Sequence, residues 1–360
     1  MPQNKIYIDK LELAYQQNPE FTELLSPPKR DGEDNAFGWE RDITEPFSPP
    51  IIPSYEDADI LDNDAVDDFL NSFVIDGSCD SGSTPWEDTV TIGNWHFVRG
   101  KFPGTNTNYK YNFRVEHDTE DGDTSVFGFL YYVTYRRGRE ENIYLSLANY
   151  KLYDEGFWQE LRSFETDFGL SFVHVSKVDI ALDGVVDTSK VIYNLMKRDK
   201  SIDWVINGHR IVDRNATIKK LFWILSGSLD NPDANRVLYI KQKEGLTINC
   251  YCKTIEIEDK SQKYYQIGDW EVGENGILDD DSIYRNEIRL TRKDIGHYIK
   301  LHGMDELQFR NSLEDKDCRF NCFREFCRKL IRWNRNGKSQ DITTLVQNRN
   351  YCHGKEKAVI

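Results

Sequence analysis

The chain has 360 residues, 39% hydrophobic and 13% aromatic, which is enough for a sizeable core and for two or three domains of roughly 100–200 residues each. Its formal net charge of −15 argues against a nucleic-acid partner until the charge is located: residues 1–90 hold 5 Lys/Arg against 21 Asp/Glu, whereas residues 285–360 hold 17 against 10. The acidity belongs to one segment, and the C-terminal end is basic enough to meet phosphates.

Residues 5–15 (KIYIDKLELAY) follow the alternation of a strand, without a basic-then-apolar leader pattern. Residues 26–90 carry Pro-Pro at 27–28 and 49–50 and the acidic run EDADILDNDAVDD, so an open, largely disordered region is expected there. It reads as a solubilising linker, or as an acidic mimic of DNA that shields a basic surface. Phe37, Trp39, Phe47 and Tyr55 give it local docking points.

From Thr89 the segments TVTIGNWHFVRG, YKYNFRVEH, VFGFLYYVTYRR and NIYLSLANYKLY predict a meander of antiparallel strands. The turn Arg136-Arg137-Gly138-Arg139 between two of them is a candidate phosphate grip. A helix follows over DEGFWQELRSFETDFG with Asp154 as N-cap, then the strand SFVHVSKVDIALDG and a helix starting near Thr188 or Ser189. A strand pair is expected over NRVLYIKQKEGLTINCYCKTIEIED and another strand over SIYRNEIRLTRKDI. The remainder reads as helices, above all DKDCRFNCFREFCRKLIRWNRNG ending at Gly337. On that helix Phe320, Phe323, Cys327 and Leu330 recur at core spacing, while Arg328 and Arg332 belong to a basic set suited to DNA or to a dimer contact. Cys318, Cys322, Cys327 and the pair Cys352-His353 lack the C-x-x-C knuckle of a zinc site. The expected class is α+β: an antiparallel sheet with flanking helices and a helical tail, divided as an acidic region 1–90, a central domain 91–300 and a basic helical region 301–360. No segment approaches the roughly 18 apolar residues of a membrane span. The seven cysteines, an odd number in a chain this long, fit a reducing cytoplasm.

Three strands carry chemistry. Alternation places Lys177, Asp179, Ala181 and Asp183 on one face of the first, backed by Val178, Ile180 and Leu182. Asn249, Tyr251 and Lys253 share a face of the second, and Arg285, Glu287 and Arg289 a face of the third, with Arg292 just beyond. Singly, each pattern also suits a solvated sheet face. Together they offer carboxylates able to hold a hard divalent cation, a phenol and several cations.

In order and content, VSKVDIALD (175–183), INCYCKTIE (248–256) and IYRNEIRLT (283–291) resemble the motifs of rolling-circle replication initiation proteins of the Rep-trans type, the plasmid and phage replication initiation factor family. SLANYKLYDEGF is similar to the Asn–Tyr segment of related phage initiators. The resemblance covers about residues 91–300. It implies a metal-dependent endonuclease, with an initiator nuclease fold, that nicks and rejoins one strand of origin DNA through a covalent 5′-phosphotyrosine. It also implies Tyr251 as nucleophile, Lys253 as the basic residue beside it, and Asp179, Asp183 and Glu287 as ligands of Mg²⁺ or Mn²⁺. Glu256 matches the acidic end of the second motif. Lys177, Arg285, Arg289, Arg292, Arg136, Arg137, Arg328 and Arg332 are the expected DNA contacts. Origin DNA, single-stranded or cruciform, is the expected partner, with a host helicase and polymerase and a second copy of the chain as further partners. The chain departs from the family at Lys177-Val178, where Arg-Leu is usual, in lacking the Gly-Ser-Arg turn before the tyrosine strand, and in having no His-hydrophobe-His pair. Two other readings use the same residues: a DNA-binding regulator without catalysis, and a relaxase-like mobilisation nuclease.

Overall fold

The structure, a computed structural model of the chain, describes residues 4–16, 21, 25, 89–99, 109–119, 122–133, 141–226, 235–242, 245–261, 263, 265 and 282–347. Residues 26–88 of the expected acidic region, the Arg136-Arg137 turn and Cys352-His353 lie outside the described residues. The described chain is α+β, with large antiparallel sheets and flanking helices. No described helix is long and apolar enough to cross a membrane.

Two compact units divide the chain, and their boundaries differ from the expected 1–90, 91–300 and 301–360. The first comprises 1–14, 146–162 and 172–360, the second 15–145 and 163–171. The C-terminal region therefore belongs to the same unit as the three motif strands. The N-terminal strand β1 (Lys5–Gln16) joins that unit through its first ten described positions, Lys5–Ala14.

The second unit contains the expected meander: β2 (Thr89–Ile92), β3 (Trp95–Arg99), β4 (Tyr109–Asp118), β5 (Thr124–Val133) and β6 (Glu141–Leu147), the first four paired antiparallel in sequence order. Its inward residues are aromatic. Trp95 meets Phe127 and Phe164 edge-on at 5.1 and 4.9 Å, Phe97 meets Phe168 at 5.2 Å, and Phe21 packs on both Phe97 and Phe168. The indole N–H of Trp95 donates to Asp167 (3.0 Å), so the ring's polar edge is not left unpaired in that core.

The first unit holds a sheet in the order β10 (Phe222–Ser226), β11 (Asn235–Lys241), β12 (Thr247–Cys252), β13 (Tyr284–Thr291), β7 (Phe172–Gly184) and β1. The pairs from β10 to β7 are antiparallel. Val178, Ile180, Leu182, Ile248, Cys250, Ile288 and Leu290 fill one face, all essentially inaccessible. That face is covered by α2 (Thr188–Arg198), α5 (Arg292–His302), α6 (Glu306–Ser312) and α7 (Lys316–Leu330). The order of helices completes with α1 (Phe157–Asp167), α3 (Arg214–Leu221), a single turn α4 (Lys253–Glu256) and α8 (Ile342–Gln347). Phe323, Cys327 and Leu330 of α7 are fully buried, as the core spacing predicts, at roughly 1.5–3 kcal/mol for each large apolar side chain.

Caps and helix ends depart from expectation in instructive ways. Helix α2 is capped by Asp187, whose carboxylate accepts from Lys190 N (2.8 Å), with Thr188 and Ser189 already inside the helix. Helix α1 starts at Phe157, and Asp154 instead accepts from Gly156 N in the preceding turn. The C-terminal helix stops at Leu330 rather than Gly337. Residues 331–340 form a hairpin, β14 (Ile331–Arg335) and β15 (Lys338–Gln340), turned by Asn336 (φ 50°) and Gly337 (φ 74°). Strand β14 pairs with β8 (Asp203–Ile206), which in turn pairs with β9 (His209–Arg210). Trp333 thereby packs on Trp204 with ring centroids 5.0 Å apart.

Candidate active site on the polar face of the first sheet

Register decides which side chains meet. Asp183 lies opposite Arg285, and Arg285 opposite Tyr251. Ala181 faces Glu287, which faces Asn249, and Asp179 faces Arg289, which faces Thr247. Residues directly opposite in a sheet point to the same side, so these rows form one polar face opposite the helix-covered one. The sequence placed these residues on common faces strand by strand, and the structure brings the three faces together.

The carboxylates expected as metal ligands are largely engaged by arginines. Arg285, fully buried, donates from Nε and Nη2 to the two oxygens of Asp183 (2.8 and 2.7 Å). Its Nη1 donates to Asp9 of β1 at 2.7 Å. Arg289 donates in the same forked manner to the two oxygens of Asp179 (3.1 and 2.8 Å). Among the described residues no three His, Cys, Asp or Glu side chains converge as a metal-holding group. Asp179, Asp183 and Glu287 therefore share a face without forming a ready ligand cluster.

Asp9 is a member of the site that sequence reasoning missed. It accepts from the Tyr153 hydroxyl, and its backbone carbonyl accepts from the Asn149 amide. Both donors lie in the short 3₁₀ turn Asn149–Tyr153, within the Asn–Tyr segment singled out in the sequence. Burial alone would raise the Asp9 carboxyl, but the charges of Arg285 and Lys253 and the bond from Tyr153 hold it well below the ordinary carboxylate range. Burial raises the Tyr153 phenol well above its usual value, and the Asp9 and Asp183 charges add to this against Arg285.

Tyr251 and Glu287 are joined by a hydrogen bond. The Tyr251 hydroxyl donates to Glu287 Oε2 at 3.3 Å. Burial, reinforced by the Asp9 and Asp179 charges, pushes the Glu287 carboxyl up to about 8. Burial and the Glu287 charge likewise push the Tyr251 phenol well above its usual value. Glu287 and the Asn249 amide oxygen, which is buried with no hydrogen-bond partner, stand directly opposite each other. Two adjacent oxygen donors fit Mg²⁺ or Mn²⁺, since Mg²⁺ keeps several waters and takes only one or two carboxylates.

Lys253 reaches the pair by a route the alternation did not foresee. The strand ends at Cys252 and the chain turns helical at Lys253, so face-sharing by period two does not apply to it. Its ammonium nonetheless lies 5.8 Å from the Tyr251 ring centre and is held by Glu256 at 2.5 Å. Lys177 occupies the far end of the face, where burial, with Lys10 and Arg289 nearby, lowers its ammonium to about 8.

The remaining expected DNA contacts lie elsewhere. Arg292 opens α5 and pairs with Glu306 (2.5 Å). Arg328 points toward Asp341 (3.7 Å), and Arg332 donates to the Arg328 carbonyl (3.2 Å). Both line a shallow groove of about 490 Å³ with Asn321, Arg324, Glu325 and Lys329. Helix α7 packs on the opposite side of the sheet from Tyr251, so this basic groove and the tyrosine face are separate surfaces. Comparison with known proteins finds no family model and no curated protein that matches this chain.

Proposed function

We propose that the chain is a replication initiator of the rolling-circle type, which nicks and rejoins one strand of origin DNA through Tyr251 with Mg²⁺ or Mn²⁺. The observation that carries this reading is the Tyr251–Glu287 hydrogen bond, set between the cations Arg285 and Lys253 on the polar face of the sheet. The order of the three motifs supports it from the sequence side, and the initiator nuclease fold is part of the same proposal.

The chemistry divides among the residues as follows. Glu287, in its ionised form, takes the phenolic proton through the hydrogen bond it accepts from Tyr251. The Tyr251 oxygen attacks the scissile phosphorus, the bond from phosphorus to the 3′ oxygen breaks, and that oxygen takes a proton from water. The products are a 5′-phosphotyrosine and a 3′-hydroxyl; attack by a 3′-hydroxyl reverses the step and rejoins the strand. Lys253 stabilises negative charge on the phenolate and on the phosphoryl oxygens, with Glu256 holding its ammonium in place. Arg285, tied to two carboxylates, fixes the strand positions of both reacting residues. Asn249 Oδ1, together with Glu287 Oε1, would hold a divalent ion, which would supply Lewis-acid polarisation of the phosphate.

The competing reading, a DNA-binding scaffold without chemistry, draws on the arginine pairing of Asp179 and Asp183. One experiment separates them. A labelled single-stranded library from DNA flanking the gene is incubated with protein and Mn²⁺, then run on a denaturing gel. A labelled band at the protein's size, lost with EDTA and in Tyr251→Phe, supports the nuclease. Binding with no adduct in either metal supports the scaffold.

A further inference from the structure

The proposed chemistry leaves unused the basic set on α7, which the sequence suited equally to DNA or to a dimer contact. Helical spacing sends Cys322, Phe323, Phe326, Cys327 and Leu330 into the core and leaves Arg324 and Arg328, one turn apart, on the other side. The helix ends at Leu330, and strand alternation then takes over. Ile331 and Trp333 are buried, while Arg332 between them lies on the groove side. Two different periods thus continue a single row, Arg324, Arg328 and Arg332, whose helical step is about 6 Å. Together with Asn321, Glu325 and Lys329 this row lines the shallow groove.

One buried carboxylate organises the row. Asp341 accepts through Oδ1 from the Thr343 and Thr344 N–H groups (2.9 and 3.3 Å) and from the Thr343 hydroxyl. Its Oδ2 faces Arg324 Nε at 3.9 Å and Arg328 Nε at 3.7 Å. Both approaches are longer than a hydrogen bond, so charge orients the two guanidinia by their inner edges. The arginine side chains stay 50% and 42% exposed, with a bond of 3.5 Å from Arg328 Nη2 to Ser339 Oγ. Glu325, the carboxylate in the groove lining, is met by His302 (2.8 Å) and Lys329 (3.6 Å). Four cations against Glu325 and Asp341 leave the groove positive.

We propose that this groove takes the phosphate backbone of duplex DNA, as a surface separate from the Tyr251 face. Cations in a row suit charges repeated along a strand, whereas a single phosphate group would call for a convergent cluster. Among the described residues no aromatic side chain lines the groove, so unpaired bases have nothing to stack on. A duplex, which turns its backbone outward, fits such a surface better than a single strand. No apolar side chain lines the groove either, which disfavours insertion into a lipid surface. A second copy docked here about a two-fold axis would set arginine row against arginine row, and that like-charge contact disfavours the dimer. Duplex binding at α7 goes beyond the chemistry at Tyr251 and holds whether or not the chain nicks DNA.

The test is anisotropy of a fluorescein-labelled 16-base-pair duplex with the full chain in EDTA, over about 50 to 200 mM KCl. Native affinity is expected to fall with a slope of about −2.7 to −3.6 in log affinity against log salt, for three or four phosphates met. Arg324→Gln/Arg328→Gln should flatten that slope by about 1.8 and weaken binding about 60-fold at 0.1 M salt, the worth of two contacts. Arg324→Lys/Arg328→Lys keeps both charges and should restore most of the affinity. Native-like affinity and slope in the glutamine variant, or no native binding to duplex at the lowest salt, overturns the proposal. So does a larger loss for dT16 than for the duplex, or a loss confined to vesicles of anionic phosphatidylglycerol. The covalent adduct with Mn²⁺ is scored separately. Weakened duplex binding in the variant with no native adduct upholds the groove and sinks the nuclease; an adduct with unaltered duplex binding does the reverse. Should the glutamine pair fail to fold, Lys329→Gln/Arg332→Gln, which leaves both partners of Asp341 in place, decides by the same criteria.

Discussion

The guanidinium of Arg285 joins Asp183, 102 residues upstream, to Asp9, 276 residues upstream, with bonds of 2.7–2.8 Å. One buried cation thus serves two carboxylates and ties β13 to β7 and β1. Removing one partner of a buried pair leaves uncompensated charge, at a cost of about 3–5 kcal/mol. Arg285→Met is expected to lose that much stability in urea denaturation. A loss under about 1 kcal/mol would show that the two carboxylates tolerate each other without it.

Glu287 makes stability depend on pH in an unusual direction. The unfolded carboxyl releases its proton near its ordinary value of 4.5, whereas the folded one keeps it up to about 8. Between those values the folded state binds more protons, so stability falls as pH rises and levels off above about 8. Glu287→Gln cannot ionise and should flatten the fall across this window, measured as unfolding free energy against pH. A native profile that stays flat from pH 5 to 8 would contradict the buried, proton-holding Glu287.

The same variant tests the chemistry. Loss of a general base costs about 10²–10⁴ in rate. Glu287→Gln should slow adduct formation by that factor with Mn²⁺ present, read as labelled adduct against time on the denaturing gel. Equal adduct rates in native and variant protein would take Glu287 out of the proton transfer.

Tyr251→Phe removes one hydroxyl from a half-buried ring. It should abolish the adduct and change stability by only about 1 kcal/mol, the net worth of one hydrogen bond. Thermal unfolding beside the gel assay reads both. An adduct of full yield in Tyr251→Phe would move the nucleophile to another residue.

On the covered side, Phe323 is fully buried beneath the sheet. Phe323→Ala should cost about 3–5 kcal/mol by loss of burial and creation of a cavity. Chemical denaturation would show it, and a cost below about 1 kcal/mol would mean that α7 is only loosely packed.

Much of the polar face could be read in the sequence, because strand alternation is local. The motif strands declared their faces, and with them Tyr251, Glu287 and the two aspartates of β7. Partners were not local. Whether Asp183 would meet a metal or Arg285 depended on register between strands about a hundred residues apart. Asp9 was visible as one polar residue in an alternating strand, with nothing nearby to mark it; only the Asn–Tyr segment hinted at its donors. Lys253 was assigned by a period that stopped one residue earlier. Residues 331–335 continued a basic helical run, yet Ile331 and Trp333 alternate, and contact with Trp204 outweighed the local preference.

Asp9 belongs to the first strand, and its guanidinium partner is made 276 residues later. At 5–20 residues per second, a ribosome needs roughly 15–55 s to cover that interval. Until then the first strand has neither the cation that neutralises Asp9 nor β13 in place on the far side of β7. The polar face is consequently a late product of synthesis: a nascent chain can bury the aromatic core of the second unit well before it can display the tyrosine in its finished setting.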